Sequence, residues 1–376
     1  MKRIFIIFAA VLTGLTQAQA AGFEQPNQSA SAASVANAFV ATANDASALI
    51  YNPAGMAWLS GVSVMGTAQL DYRDSSVATP TGNAPNNGTE PFSGSIYATW
   101  TPLDGRLAAG IGFSPLYVAN NDWATAFPGT AGRSASGVTK LTVDHTTVDF
   151  VYAINSDLAI GGGGDWYITR ATMTQGAKSF QGNDFTTFGG HASLMWKPMP
   201  AWSVGAMFRS GARVSMSGQA NDSLSFKLPD YVSAGISHDF ADVWRLEADA
   251  KWTRWSALKN MNIVKGGVIT QPNAMNLRDT LTVMAGLSWA WRESTRFSVG
   301  YAYDQGANRS LNFSPVIADQ DNHRISLGAG ADLFGMHVDV AYQYVYYSKK
   351  TVTGPFAGVY KDRRQSLMMS VSSEFE

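Results

Sequence analysis

Alternation of apolar and polar residues, with a period of two, constrains the fold of this chain more than any other feature. In the segment RFSVGYAYD, the side chains of Phe297, Val299 and Tyr301 fall on one face, and small or polar residues lie between them. The same alternation recurs in WRLEADAKW, MHVDVAYQYVYY and VSVMGTAQLDY. Because successive side chains of a β-strand point to opposite sides, each segment predicts a strand with one apolar and one polar face.

The strands and their connections together predict a closed barrel. About fourteen segments alternate in this way. They cover residues 62–73, 92–101, 106–118, 141–154, 158–171, 185–197, 202–215, 226–239, 243–255, 280–291, 295–305, 322–332, 336–348 and 362–375. Short connections such as NSD and LFG alternate with long ones such as 119–140 and 256–279. This sorting is typical of outer-membrane barrels, whose short turns face the periplasm and whose long loops face outside. We therefore predict a 14-stranded antiparallel transmembrane β-barrel in the bacterial outer membrane.

The distribution of aromatic residues supports the membrane prediction. Aromatic side chains recur near the ends of the less polar faces, as an interfacial girdle requires. They include Trp100, Trp166, Trp196, Trp202, Trp244, Trp252, Trp289, Trp291, Tyr342 and Tyr344. The opposite face carries Ser, Gly, Thr, Asp, Arg, His and Gln, which suits a lumen that contains water or a plug. A secreted all-β protein is the alternative, but it would leave the sorting of the loops unexplained.

The first residues predict a secretory signal peptide over residues 1–20. Lys2 and Arg3 precede a short apolar run, and AQA at positions 18–20 fits a small-residue cleavage site. An uncleaved anchor helix is the alternative. No later apolar run reaches the length of about 20 residues that a membrane-spanning helix needs.

Charge and cysteine content narrow the possible partners. The formal net charge is -1, which gives no reason to expect nucleic acid, and the chain contains no Cys for thiolate metal sites. We found no HExxH, P-loop or GxSxG motif, and the five His residues lack ligand spacing. We therefore expect neither an enzyme nor a cofactor nor a metal site.

We assign the barrel to residues 61–376. Residues 21–60 precede its first strand. The segment is rich in Ala and Ser and includes Asn52, Pro53 and Ala54, where Pro53 favours a turn. One or two helical turns are expected at about Ser31 to Ala41. A barrel of this size encloses a wide lumen, and irregular backbone is allowed there if protein surrounds it. We predict that residues 21–60 form a small plug, called the hatch below.

The sequence of the hatch resembles that of the FadL family of outer-membrane transporters for long-chain fatty acids and aromatic hydrocarbons. The matching residues are Ala21-Gly22-Phe23, Asn44-Asp45-Ala46 and Asn52-Pro53-Ala54, with later matches in LPDYVSAGISHDF and RFSVGYAYDQG. The resemblance covers nearly the whole mature chain. It implies fourteen strands, a hatch and hydrophobic substrates. It also implies an apolar groove among the outer loops, a pocket beside the hatch, and a kink in the third strand that opens the wall laterally.

Apolar residues of two long loops are candidates for the outer groove. One set is Trp123, Ala126 and Phe127, and the other is Met261, Ile263, Val264, Val268 and Ile269. Exposed apolar loop residues on such a protein need a reason, and ligand capture is one. Ordinary packing of the loops is the alternative.

The alternation along the strands places four further candidates for the inner pocket on the lumen side: Tyr167, Met195, Met207 and Met284. The resemblance adds Phe23 of the hatch. Candidate cations for a carboxylate head group are Arg209, Arg213, Arg245 and Lys251. For Arg245 and Lys251, a ladder of ion pairs with Glu247 and Asp249 is the alternative, and the Met residues could simply fill the lumen.

The segment GIGFSPLYV is the candidate for the lateral opening. Pro115 cannot donate to a strand ladder, and Gly110 and Gly112 remove bulk nearby. The alternative is a strand that ends near Phe113.

Together these observations predict passive uptake of hydrophobic compounds, first of all long-chain fatty acids. An aromatic hydrocarbon channel and a general diffusion porin are the alternatives, and a structural or adhesin barrel is a third. Apart from its cargo and the surrounding outer-membrane lipids, the chain is expected to act as a monomer.

Overall fold

The computed structural model describes residues 22–80, 82–88, 92–102, 106–123, 137–175, 178–271, 274–292, 294–309, 313–354 and 356–375. The predicted signal peptide lies outside these residues. Within them, no helix combines the length and apolar character needed to cross a membrane. In chain order the strands are β1 (Gly61–Thr79), β2 (Gly82–Pro85), β3 (Phe92–Thr101), β4 (Leu107–Asp122), β5 (Val138–Ala153), β6 (Leu158–Gln175), β7 (Lys178–Met199), β8 (Trp202–Arg209), β9 (Arg213–Gly218), β10 (Asp222–Lys227), β11 (Tyr231–Phe240), β12 (Trp244–Thr253), β13 (Asn262–Lys265), β14 (Val268–Gln271), β15 (Thr280–Arg292), β16 (Thr295–Asp304), β17 (Asn322–Leu333), β18 (Met336–Tyr347), β19 (Lys350–Val352) and β20 (Gly358–Phe375).

Fourteen of these strands close a ring within the described part of the chain, and every neighbouring pair is antiparallel. The ring runs through β1, β3, β4, β5, β6, β7, β8, β11, β12, β15, β16, β17, β18 and β20. It closes where β20 pairs with β1, from Val62↔Phe375 to Ala78↔Val359. The predicted 14-stranded antiparallel barrel is confirmed.

Two predicted strands are interrupted, and several others differ from the predicted bounds by a few residues. The strand expected over 202–215 ends at Arg209, and the strand expected over 226–239 begins at Tyr231. Between them, β9 and β10 pair with each other as a hairpin, and β9 also pairs with β7 and β10 with β13. The break occurs where Gly211 packs against the backbone of Leu228 and Pro229, so closely that a Cβ could not fit. Alternation continues through both segments and does not reveal the interruption, although Pro229 in the second segment cannot donate to a strand ladder.

The barrel turns its apolar face outward. On β12, Leu246 is 48% exposed, whereas Glu247 and Asp249 are 3% and 5% exposed. Trp252 and Phe297 likewise lie on the outer surface. This arrangement is the reverse of a water-soluble barrel, and it fits a wall surrounded by hydrocarbon with a polar interior.

Gly22–Ser60 lie inside the ring. The short helix α1 (Ala30–Ser34) packs against β16, β17, β18 and β20, and a 3-10 helix (Pro53–Trp58) packs against β3 to β7 on the other side. A second short helix, α2 (Ala48–Tyr51), precedes the 3-10 helix. Of the one or two helical turns expected at about Ser31 to Ala41, α1 supplies one, and the helix stops before Ala36 and Asn37, which adopt left-handed φ values of 56° and 66°.

Candidate functional site

Two adjacent carboxylates of β12 hold the middle of the hatch. Asp249 accepts hydrogen bonds from the backbone N–H groups of Phe39 at 2.8 Å and Val40 at 2.9 Å. Glu247 accepts them from Ala41 at 2.7 Å and Thr42 at 3.2 Å, and also from the Thr42 hydroxyl. Residues two apart on a strand share a face, so the two acids present one row of acceptors to four successive amides.

The Asn52-Pro53-Ala54 motif ties the hatch to a second part of the wall, on β7. The Asn52 side-chain amide donates to the carbonyl of Val40 at 2.8 Å and to that of Leu194 on β7 at 3.0 Å. Its oxygen accepts from the Ala54 N–H at 3.2 Å and so caps the 3-10 helix, in which Pro53 is the first residue. The motif predicted as a hatch signature is therefore a structural tie.

An apolar cluster lies on the side of the hatch that faces the long loops, and we call it the upper cluster. The barrel wall, the long loops and the hatch all contribute to it. Its larger buried members include Phe23, Leu116, Tyr117, Leu141, Tyr167, Met173, Phe180, Phe226, Trp255, Leu258, Met261 and Ile263. Phe23 is the contribution of the hatch. Its ring centroid lies 5.4 Å from that of Tyr117 and 5.1 Å from that of Trp255.

The cations beside the upper cluster are paired with acids. Arg209 is 1% exposed; its Nε lies 3.2 Å from Asp165, and it donates to the Tyr231 hydroxyl at 3.2 Å. Lys251 forms an ion pair with Glu24 of the hatch and lies 3.9 Å from the centroid of the Tyr231 ring. The ladder interpretation of Lys251 is therefore wrong, because the partner comes from the hatch and because Glu247 and Asp249 bind hatch backbone instead.

The other predicted cations lie elsewhere. Arg245 pairs with Asp239 at 2.6 Å, close to the short turn between β11 and β12. Arg213 is exposed and alternates with the buried Ala212 and Val214, so its side chain points away from the lumen. Neither residue lies in the upper cluster.

The pairing between β3 and β4 is incomplete. These strands pair from Trp100↔Ala109 to Ile96↔Phe113, and the described pairing stops there, although β3 keeps pairing with β1 to its first residue. Beyond this point β4 continues to Asp122 beside β5, with a register shift between Pro115 and Tyr117. The strand therefore does not end near Phe113. It leaves β3 beyond Phe113, and this break in the β3–β4 pairing is here called the window.

The start of the hatch occupies the lumen side of the window. The Phe23 carbonyl accepts a hydrogen bond from the Val118 N–H at 2.6 Å, and the Gln25 N–H donates to the Leu116 carbonyl at 2.9 Å. This segment therefore pairs with the edge of β4 that β3 has left. Gln28 connects the two strands across the window. Its side-chain amide donates to the Pro115 carbonyl on β4 at 2.7 Å, and its backbone carbonyl accepts from the Ser95 hydroxyl on β3 at 2.8 Å.

Gly110 and Gly112 lie below the window and make room for neighbouring side chains. A Cβ on Gly110 would meet Leu49 of the hatch at 2.7 Å, and one on Gly112 would meet the Tyr97 ring at 2.7 Å. The irregularity of β4 itself falls at Pro115, as the sequence predicts for a residue without an N–H group.

The predicted pocket residues do not all converge. Phe23 and Tyr167 belong to the upper cluster, whereas Met195 packs with the hatch side chains and Met284 packs beside Ala36 and Ala38. Met207 is 2% exposed and belongs to none of these groups. All three Met side chains are buried, but they lie at different positions around the lumen.

The loop candidates also divide. Met261 and Ile263 are buried in the upper cluster, whereas Val268 and Ile269 are 66% and 53% exposed. Trp123 belongs to a separate loop cluster, where its ring packs 5.6 Å from Tyr360 and its N–H donates to Pro315 at 3.1 Å. Ala126 and Phe127 lie outside the described residues.

Sequence reasoning missed Glu24, Gln28 and Trp255. Glu24 directly follows Phe23, so the pairing of an apolar ring with a carboxylate was visible in the sequence. Gln28 carried no such signal, because its partners Ser95 and Pro115 are distant in the chain.

Comparison with known proteins identifies a family and a fold. The family of outer membrane protein transport proteins (OMPP1/FadL/TodX) matches residues 11–217 and 180–373. Outer membrane protein P1 of Haemophilus influenzae is 28% identical over 173 residues, which make up 42% of this chain and 38% of that protein. The chain thus matches about two fifths of the length of this curated relative.

Two solved structures share the architecture. A FadL homologue from Pseudomonas aeruginosa superposes with a TM-score of 0.83 at 19% identity, covering 95% of this chain and 100% of the other. The toluene transporter TodX of Pseudomonas putida gives a TM-score of 0.70 at 16% identity, covering 94% and 100%. At these identities the likeness concerns the fold alone.

Proposed function

Since this chain belongs to the family of outer membrane protein transport proteins (OMPP1/FadL/TodX), we propose that it takes up hydrophobic compounds passively across the outer membrane. The family consists of transport proteins rather than enzymes. The cargo would enter the upper cluster from the outer loops and leave through the window into the bilayer. Such a route would keep an insoluble molecule away from water, since the cluster is apolar and the window lies in a wall whose outward side chains are apolar.

The two neighbouring hatch residues Phe23 and Glu24 are the observation on which we base the proposed class of cargo. The Phe23 ring fills part of the upper cluster, and the neighbouring carboxylate of Glu24 pairs with Lys251. An apolar group joined to a carboxylate is also the chemistry of a long-chain fatty acid. A fatty acid that displaced this dipeptide could place its chain against Tyr117 and its head group on Lys251. We therefore assign long-chain fatty acids as the first cargo class.

Arg209 is less suited to bind the head group. Its guanidinium is already paired with Asp165, which is itself part of the wall and has no route of departure. Lys251 differs, because its partner belongs to the hatch. The hatch segment can move away and leave the ammonium free.

Aromatic hydrocarbons are the second candidate, and the rings of the upper cluster favour them. Phe23, Tyr117 and Trp255 lie with their centroids 5.1 to 5.9 Å apart, a spacing that a small ring could join without any charged partner. A general diffusion porin fits less well, since the hatch fills the lumen of the described barrel.

The test compares uptake of labelled oleate and labelled toluene by cells that carry the wild type, Lys251→Gln or Lys361→Gln. Lys361 is exposed on β20 and serves as the matched control. We expect Lys251→Gln to reduce oleate uptake at least about tenfold, because a hydrogen bond to a charged group contributes about 1.5–3 kcal/mol. Toluene uptake and the control should not change.

Other outcomes would redirect the assignment. Equal oleate uptake by wild type and Lys251→Gln would make Lys251 a structural residue. Uptake of toluene but not oleate would assign the hydrocarbon class. Passage of small sugars by the wild type would indicate a porin and contradict the proposal.

A further inference from the structure

A cleft on the outside of the barrel carries four cations that the uptake route does not use. Arg213, Lys227, Arg254 and Lys259 line it, together with the polar side chains Ser225 and Asn262. We call it the basic cleft. It lies on the surface of the β9–β10 hairpin and the connection that follows β12.

The basic cleft begins where the apolar band of the wall ends. Val232 pairs with Phe208 on one side and Trp252 on the other, and these three outward side chains are 41–44% exposed. Arg254 follows two residues after Trp252, on the same outward face. From Trp244 to Trp252 the strand β12 rises about 27 Å, or roughly 20 Å along the membrane normal after tilt. The cations therefore lie at the level of lipid head groups.

The charge in the cleft is largely unbalanced. Among the described residues, Asp230 is the one carboxylate within 4.0 Å of these four cations, and it pairs with Arg254 at 2.5 Å. Arg213 and Lys227 stand directly opposite each other in the pairing of β9 with β10. Like charges in that position destabilise a strand pair, so an anion that bridges them would relieve the repulsion.

The cleft is separate from the upper cluster. Val214 and Phe226 alternate with Arg213 and Lys227 along the two strands, and their side chains are buried in the cluster. The hairpin thus presents an apolar face inward and a basic face outward. An anion bound in the cleft would therefore come from the surrounding membrane and not from the cargo in the lumen.

From this arrangement we infer that the basic cleft binds the phosphate group of a lipid in the outer leaflet. A phosphate offers several acceptor oxygens and more than one negative charge, which matches two arginines and two lysines better than a single carboxylate does. The acyl chains of the same lipid can lie along Phe208, Val232 and Trp252 below. Basic pockets at the head-group level are a recognised mode of lipid binding.

The experiment measures binding of diphosphoryl lipid A to the purified full-length protein in neutral detergent, with dephosphorylated lipid A and oleate as competing probes. The test variant is Lys227→Gln with Lys259→Gln. The control is Lys349→Gln with Lys361→Gln, which removes two exposed lysines near β19 and β20, about half the ring away.

The wild type and the control should bind diphosphoryl lipid A equally, and the cleft variant should bind it roughly 30-fold more weakly. Binding should weaken as salt rises, and dephosphorylated lipid A should bind poorly. Equal binding by the cleft variant and the wild type would overturn the inference, as would insensitivity to salt or to the loss of phosphate. Preferential binding of oleate would assign the cleft to cargo capture and overturn the lipid site.

Discussion

The hatch is held in two different ways, one in its middle and the other at its start. In the middle of the hatch, Phe39 to Thr42 donate four backbone N–H groups to Glu247 and Asp249. At its start, Phe23 relies on ring contacts and on a short strand pairing with β4. The first attachment requires particular acceptors, whereas the second consists of contacts that another molecule can replace.

This difference separates a fixed region from a replaceable one. Buried amides that lose their carboxylate acceptor are left unsatisfied. Each unsatisfied buried donor costs about 1–3 kcal/mol. An apolar chain can replace the Phe23 ring in the upper cluster, and a carboxylate can replace Glu24 at Lys251. On the proposed uptake route, one segment keeps the lumen closed to water while its first residues give way to cargo.

Deleting residues 21–60 is the most severe test of the comparison, because it removes both regions. We expect the barrel to insert but to conduct ions freely, since the ring alone leaves a wide lumen. Single-channel recording in planar bilayers measures the effect. Near-zero conductance after the deletion would contradict the assignment of the hatch as the plug.

The double variant Glu247→Ala with Asp249→Ala tests the fixed region. Loss of the acceptors for four amides should lower the free energy of local opening by at least about 3 kcal/mol. Opening of the hatch would then be more than about 100-fold as frequent. Hydrogen exchange of the Phe39 to Thr42 amides and brief ion-conducting events would report it. Glu247→Gln with Asp249→Asn retains acceptor oxygens and is the matched control. Unchanged exchange in the Ala variant would show that other contacts hold the hatch.

Phe23→Ala tests the replaceable region and should have the smallest effect. A cargo molecule would no longer need to displace a packed ring, so labelled oleate should bind the detergent-solubilised protein about tenfold more tightly. Ion conductance should remain at the wild-type level, because the fixed region is intact. Glu24→Gln separates the contribution of the ion pair from that of the ring. Weaker oleate binding in Phe23→Ala would mean that the ring is part of the binding surface rather than a competitor.

The barrel could be predicted because its signal is local. Alternation along β12 already places Glu247 and Asp249 on the face opposite Leu246, and the structure buries both acids. The turn at Asn52 was also visible, since the turn chemistry of Asn-Pro depends on adjacent residues, whereas its hydrogen bond to Leu194 was not. Local pattern is enough wherever the next neighbour in the chain decides the geometry.

The site was harder to predict because its contacts join distant residues. Lys251 and Glu24 are 227 positions apart, and no periodicity connects them. Met195, Met207 and Met284 were assigned to the lumen side by parity, but parity does not say where around the ring a strand lies. The window depends on β4 leaving β3 at Ile96↔Phe113, a pairing that alternation along either strand does not encode.

The seam between β1 and β20 has a consequence for biogenesis. It joins the first strand of the ring to the last, so the ring stays open until the end of the chain is in place. The hatch precedes β1 and packs against strands on opposite walls. Entry of a folded segment through a completed wall would require breaking ladder hydrogen bonds. Closure of the seam is therefore the step that completes the wall around the hatch, and afterwards the hatch can enter or leave the lumen only through an end of the barrel.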